Sequence, residues 1–207
     1  MGTIFGMARL AVLASTLALT GCVTTENSLS ANDIANMKLT GVTVSYAPDA
    51  IVVWDDGILA YAASKGIVED MATATNTPEG KAYVQNMLAS RIKSAIERQM
   101  AGQLNGTRPV RLDVVVRSFA IASAVQRIVI GGGHGMTADA KLVDARTGAV
   151  ILNHPQLMAN VAAAGGVIGT VVQSAVEAAM TNGGQTTLDR IVDSYGGSYR
   201  DWLLRRA

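Results

Sequence analysis

The chain has 207 residues, of which 49% are hydrophobic, 4% aromatic and 16% charged, with a formal net charge of +1. A balance this even offers no electrostatic footprint for nucleic acid, and so few aromatic rings provide no platform for stacking bases. The single cysteine excludes an internal disulfide, and the length suits one domain with a substantial core.

The first 22 residues carry an address. Arg9 is followed by an uncharged apolar run, Leu10 to Leu19, and then by Leu19-Thr20-Gly21-Cys22. A run of about ten apolar residues is too short to span a bilayer and suits the central region of a signal peptide. The ending L-T-G-C resembles the lipobox of bacterial lipoproteins, in which the cysteine is acylated and becomes the first mature residue. That resemblance implies that residues 1–21 are a cleaved signal peptide and that Cys22 is the lipidation site, carrying palmitate-type chains. Its partner is then the lipid bilayer, with no transmembrane helix required. In enterobacterial lipoproteins an aspartate after the cysteine retains the protein in the inner membrane. Val23 stands there, which favours the outer membrane, with the chain facing the periplasm. The mature portion carries as many basic as acidic residues, since Arg9 is the only charge removed.

Residues 22–37 are small and polar and read as a lipidated tether, leaving 38–207 as a single periplasmic domain. Lys38 to Tyr46 alternates as a strand does, with Val42, Val44 and Tyr46 on one side. "APDA" predicts a turn, Ile51 to Trp54 a second short strand, and Asp55-Asp56-Gly57 its close; a helix around Ile58 to Met71 is possible. Thr77-Pro78-Glu79 is a helix start, combining a hydroxyl cap, proline at the first helical position and an early acid. Val84, Leu88, Ile92, Ile96 and Met100 then form an apolar stripe, with Lys93 and Glu97 four apart on the wet side. Val110 to Val116 alternates as a strand extending toward Phe119 and Ile121, and Met136 to Leu142 alternates likewise. Asp144 to Gly148 predicts a hairpin loop, with Ala149 to Leu152 returning and Asn153-His154-Pro155 stopping the strand. Ala159 to Met180 is almost wholly apolar and predicts a glycine-bent helix packed in the domain, or a segment for membrane contact or oligomer packing. Thr186 and Asp189 predict a capped closing helix whose stripe runs from Leu188 to Leu203, with Gly196-Gly197 on its far side.

Chemistry is sparse. Gly131, Gly132, Gly133 and Gly135 lack the spacing of a dinucleotide fingerprint, and the element after them alternates as a strand, leaving no helix N-terminus for phosphate. They read as a bend. His134 and His154 are the only histidines, with no local spacing of further metal ligands, so neither a metal site nor a bound cofactor is expected. Asp55-Asp56 lacks the alternation of a calcium loop, and Arg117 and Arg127 are two arginines that would serve an anion only if brought together. No G-x-S-x-G elbow occurs.

The stretch from Val114 to Ile151 is a strand, a glycine-rich link, a strand ending V-D-A-R-T-G and a short return. It resembles uncharacterised Gram-negative envelope lipoprotein families, and through them the auxiliary lipoproteins of ABC-type envelope transporters and, more distantly, the curli-secretion lipoprotein. The resemblance implies a small domain with helices on an antiparallel or mixed sheet, and no catalytic residues. The expected fold is therefore α+β, a two-layer sandwich of roughly three to five strands with long helices packed on it. The expected role is a non-catalytic binding or assembly module in envelope transport or maintenance, with an envelope protein partner and a possible homo-oligomer. The competing readings are a pore-forming or oligomeric lipoprotein using 159–180, and a hydrolase around His134.

Overall fold

The computed structural model describes residues 25–68, 73, 76–121, 133–161 and 185–206. Its elements are α1 (Ala31–Ala35), β1 (Met37–Val53), α2 (Asp55–Lys65), α3 (Pro78–Met100), β2 (Arg108–Ile121), β3 (His134–Asp144), β4 (Val150–Val161) and α4 (Thr187–Leu203). The four strands form one mixed sheet in the order β1-β2-β3-β4. β1 and β2 run parallel, joined through α2 and α3, while β2, β3 and β4 form an antiparallel meander. The fold is α+β, as the succession of strand and helix patterns predicts.

Among the described residues, α3 and α4 cover one face of the sheet. Val110, Leu112, Val114 and Val116 of β2 and Met136, Ala138, Ala140 and Leu142 of β3 are buried, as are Leu88, Ile92 and Ile96 of α3 and Ile191, Tyr195 and Tyr199 of α4. The period-two and period-3.6 stripes thus meet in one core. The predicted caps form: the Thr77 hydroxyl accepts the Gly80 N–H at 3.1 Å, and Thr186 and Asp189 make a reciprocal capping box. Lys93 and Glu97 lie 3.9 Å apart. Gly148 closes the β3–β4 hairpin at φ +73, where a side chain would be strained.

Several expectations fail for identifiable reasons. "APDA" is not a turn, because β1 is one strand from Met37 to Val53. Between Tyr46 and Ile51 it bulges outward while β2 advances only from Val116 to Ser118. β1 is an edge strand, so Pro48 lacks a donor that no neighbour needs. Asp55 and Asp56 do not close a strand; they are the first turn of α2, where acids favour the helix dipole. β4 does not stop at Pro155 but runs on to Val161, so Ala159 is a strand residue and not the start of a helix. The rest of the apolar segment, 162–180, lies outside the described residues. Gly196 is also not on a far side. It is buried in α4, and a Cβ there would meet Gln99 Cγ at 3.1 Å and the Ile96 backbone at 3.4 Å. It permits close approach of α3 and α4, and α4 passes through it unbroken.

Candidate functional site

The stretch read as a tether is structured from Thr25 onward. Ser30 and Asp33 form a capping box at α1, Ile34 and Met37 are buried, and the preceding residues dock on the C-terminal end of α4. A helix leaves its last carbonyls without intrahelical donors. Here the Asn27 side-chain amide supplies them, donating to Leu203 O at 2.7 Å and Trp202 O at 3.4 Å. The Asn27 carboxamide oxygen accepts the Leu29 N–H at 3.0 Å, which fixes the amide's orientation. Trp202 Nε1 donates to Thr25 O at 2.7 Å, and the Arg205 guanidinium donates to Asn27 O at 2.6 Å. Arg205 itself sits at φ 53, the left-handed region that commonly ends a helix.

This clasp joins residues about 175 positions apart in sequence, and beside it opens a groove of about 510 Å³ lined by Glu26, Asn27, Asp201, Trp202, Arg205 and Arg206 among others. Arg206 donates to Gln103 Oε1 at 3.0 Å, tying the end of the chain to the turn after α3. Hydrogen bonding from Arg200 holds the Asp201 carboxyl below its ordinary range. Trp202 is the hub of the site: His154 of β4 meets it edge-on at 4.5 Å, and Tyr199 lies 5.9 Å away on its own helix. His154 is therefore a packing residue within an edge strand, where the sequence predicts that the strand stops.

The sequence-predicted candidates do not converge. His134 is buried at the head of β3, in register with Ile121 and Val161. His154 pairs with Ala140, six residues along the same strand, which places it about 20 Å from His134. Among the described residues no group of three or more His, Cys, Asp or Glu could hold a metal ion. Arg117 forks onto Asp139 with contacts of 2.7 to 3.0 Å, so its charge is committed to a neighbouring strand. Cys22, Arg127, Gly131 and Gly132 lie outside the described residues. Gly135 is inside β3, where a Cβ would crowd the Ala159 carbonyl at 2.7 Å and the Asn160 side chain, so this glycine permits close strand approach.

The face of the sheet opposite α3 and α4 carries its own polar order. Arg111 grips Asp113 at 2.6 and 2.9 Å, the Thr43 hydroxyl donates to the same carboxylate, and Lys141 stands opposite Asp113 in the ladder. Hydrogen bonding from Arg111 first, then from Thr43, keeps the Asp113 carboxyl low against the opposing cost of burial. Arg111 and Asp113 neutralise one another and Lys141 adds a cation beside them, leaving a hydrophilic surface that carries both signs.

No helix among the described residues is long and apolar enough to cross a membrane. Residues 75–207 match the model of a family of unknown function, DUF6778, and the chain belongs to that family. No curated protein matches the chain. Among solved structures it is similar to a candidate lipoprotein of Caulobacter crescentus CB15, at 14% identity and a TM-score of 0.33, covering 57% of this chain and 81% of that one. It is also similar to a Xanthomonas campestris protein of the DUF330 family, at 12% identity and a TM-score of 0.39, covering 87% and 90%. Lipoprotein GNA1162 of Neisseria meningitidis matches at 17% identity and a TM-score of 0.22, covering 69% and 99%.

Proposed function

We propose that this member of the DUF6778 family is a lipoprotein of the bacterial envelope, anchored through acylated Cys22 in the outer membrane and facing the periplasm. It acts there as a non-catalytic binding or assembly module in envelope transport or maintenance. The observation that carries the reading is the coincidence of a lipobox-like L-T-G-C, the only cysteine of the chain, with a folded domain that begins three residues later at Thr25. Dual or triple acylation supplies stable anchoring without a spanning helix. Among the described residues, the polar, self-paired sheet face is a surface on which a partner could dock.

Growth with a labelled fatty acid tests the anchor. The wild-type chain should take up label and float with membranes, whereas Cys22→Ser should do neither; labelled Cys22→Ser protein would sink the proposal. Density-gradient separation of the two membranes tests the outer-membrane assignment. For the non-catalytic role, His134→Ala should complement every envelope-permeability defect of a deletion strain. Failure of that variant, at normal abundance and fold, would point instead to chemistry at His134.

A further inference from the structure

We infer that the clasp pole, where Thr25 to Asn27 meets Trp202 and Arg205, is the surface that lies against the bilayer, so that the domain stands on the membrane in a fixed orientation. The inference rests on the lipoprotein reading and adds a geometry to it. Only Val23 and Thr24 separate Cys22 from Thr25. Three Cα-to-Cα steps reach at most about 11 Å, and Thr25 O is already held by the Trp202 indole at 2.7 Å. A cysteine with its acyl chains in the hydrocarbon therefore brings the end of α4 to the headgroup layer. The side chains there suit that depth. Trp202 pairs an apolar body with a polar N–H, the form favoured at membrane–water interfaces. Arg205 and Arg206 present guanidinium groups that bind phosphate as readily as carboxylate.

The rest of the fold fixes what faces the other way. α4 runs antiparallel to β4: Trp202 packs on His154, while Tyr195 reaches Ala138 O at 3.4 Å, which lies opposite Leu157 further along β4. α3 runs parallel to α4, since Arg98 pairs with Asp193 and Gln103 with Arg206. Val53, Ile121, His134 and Val161 are aligned by the ladder at the far end of the sheet. α4 has 17 residues and α3 has 23, lengths of about 25 and 35 Å. The N-terminal end of α3 and the ends of β2 and β4 thus point into the periplasm, about one domain length from the bilayer.

The two tryptophans make the orientation measurable. Trp54 follows β1 at the far end and Trp202 sits at the clasp. In the Trp54→Phe protein, Trp202 is the sole tryptophan. The acylated protein is reconstituted on phosphatidylethanolamine–phosphatidylglycerol vesicles containing a headgroup-nitroxide lipid. Trp202 emission should fall several-fold relative to nitroxide-free vesicles. A fluorophore on Glu79→Cys, at the first turn of α3, should scarcely change, with far-UV circular dichroism confirming that both variants are folded. Equal quenching at the two sites, or stronger quenching at position 79, overturns the orientation. Loss of fatty-acid incorporation by the wild-type chain would instead overturn the lipoprotein reading, so the two failures are told apart.

Discussion

Asp139 offers the most quantitative test of how this sheet is built. Its side chain is 9% exposed, and its carboxylate accepts three contacts from Arg117 at 2.7 to 3.0 Å and the Gln156 N–H at 2.9 Å. Gln156, at φ 49, is the left-handed residue of the bulge where Pro155 and Gln156 oppose Asp139. Asp139→Asn removes the charge but keeps an oxygen for Gln156. Charge-assisted hydrogen bonds contribute about 1.5–3 kcal/mol when buried, and the half-exposed partner screens part of that, so the loss should be about 1–2 kcal/mol. Asp139→Ala also orphans the Gln156 N–H in a strained position, adding about 1 kcal/mol. Urea unfolding followed by circular dichroism reads both. With a slope of about 2 kcal/mol per molar, the midpoints should fall by roughly 0.5–1 M and 1–1.5 M. Equal midpoints for the two variants would refute the role given to Gln156. A shift under about 0.2 M for both would refute the role of the carboxylate, on the same slope.

The same group sets a pH dependence. The Arg117 hydrogen bonds hold the Asp139 carboxyl below its ordinary value, so its stabilisation is complete above the unfolded value of about 4 and is lost as pH falls through the lowered folded one. Wild type and Asp139→Asn should therefore converge in stability in strong acid and draw apart as pH rises, the gap being complete once pH exceeds the unfolded value of about 4. In alkali the sign reverses: burial raises the hydroxyls of Tyr46, Tyr195 and Tyr199, so stability should drop above about pH 10, where the unfolded chain ionises. These three should ionise at 295 nm only in step with the loss of circular dichroism. Leu88→Ala, at a fully buried position of α3, should cost about 2–5 kcal/mol in the same urea assay. Asn27→Ala should lower the unfolding free energy by about 1–2 kcal/mol through lost hydrogen bonds and expose the segment before α1 to protease before global unfolding.

The legible parts of the fold are those whose signals are local and repeated. α3 is announced by Thr77-Pro78 and sustained by a stripe from Val84 to Met100, about five turns of helix, whose members are buried as the period demands. β2 alternates because one of its faces packs under α3 and α4, and β3 alternates from His134 to Ala138 for the same reason. The hairpin at Gly148 needs a left-handed residue, and glycine is the residue that adopts it without strain. The failures share a different cause. Pro48 and Pro155 read as breakers because proline withholds a donor, yet both lie in edge strands, and edge position is a property of the assembled sheet. Asp139 accepts the Gln156 N–H next to Pro155 from seventeen residues upstream, which no window along the chain can see. Gly196 lies on a buried face because a neighbouring helix approaches there, and only the packing of α3 on α4 reveals it.

The candidate site is legible in still smaller part, and the reason concerns where its chemistry lies. Asn27 in a polar segment looks like tether composition, and Trp202 looks like one more apolar position on a stripe. Each becomes distinctive only when the two ends of the domain meet, because an amide with two N–H groups can satisfy two terminal carbonyls of a helix it does not belong to. That arrangement bears on anchoring. Under the proposed anchoring, a pull on Cys22 would reach Thr25 and Asn27, which are held by the end of α4, the helix that packs through Ile191, Tyr195 and Tyr199 into the core. Load from the proposed lipid anchor would then be delivered along a 17-residue helix before it reached β1, the edge strand that follows α1. Among the described residues β1 is an edge strand laddered to β2, and it bulges at residues 47–50, so a direct pull there would open the sheet one ladder bond at a time. Routing the N-terminal segment past α4 first makes detachment require several hydrogen bonds to break together. A short linker and a clasp are, on this view, two parts of one anchoring device.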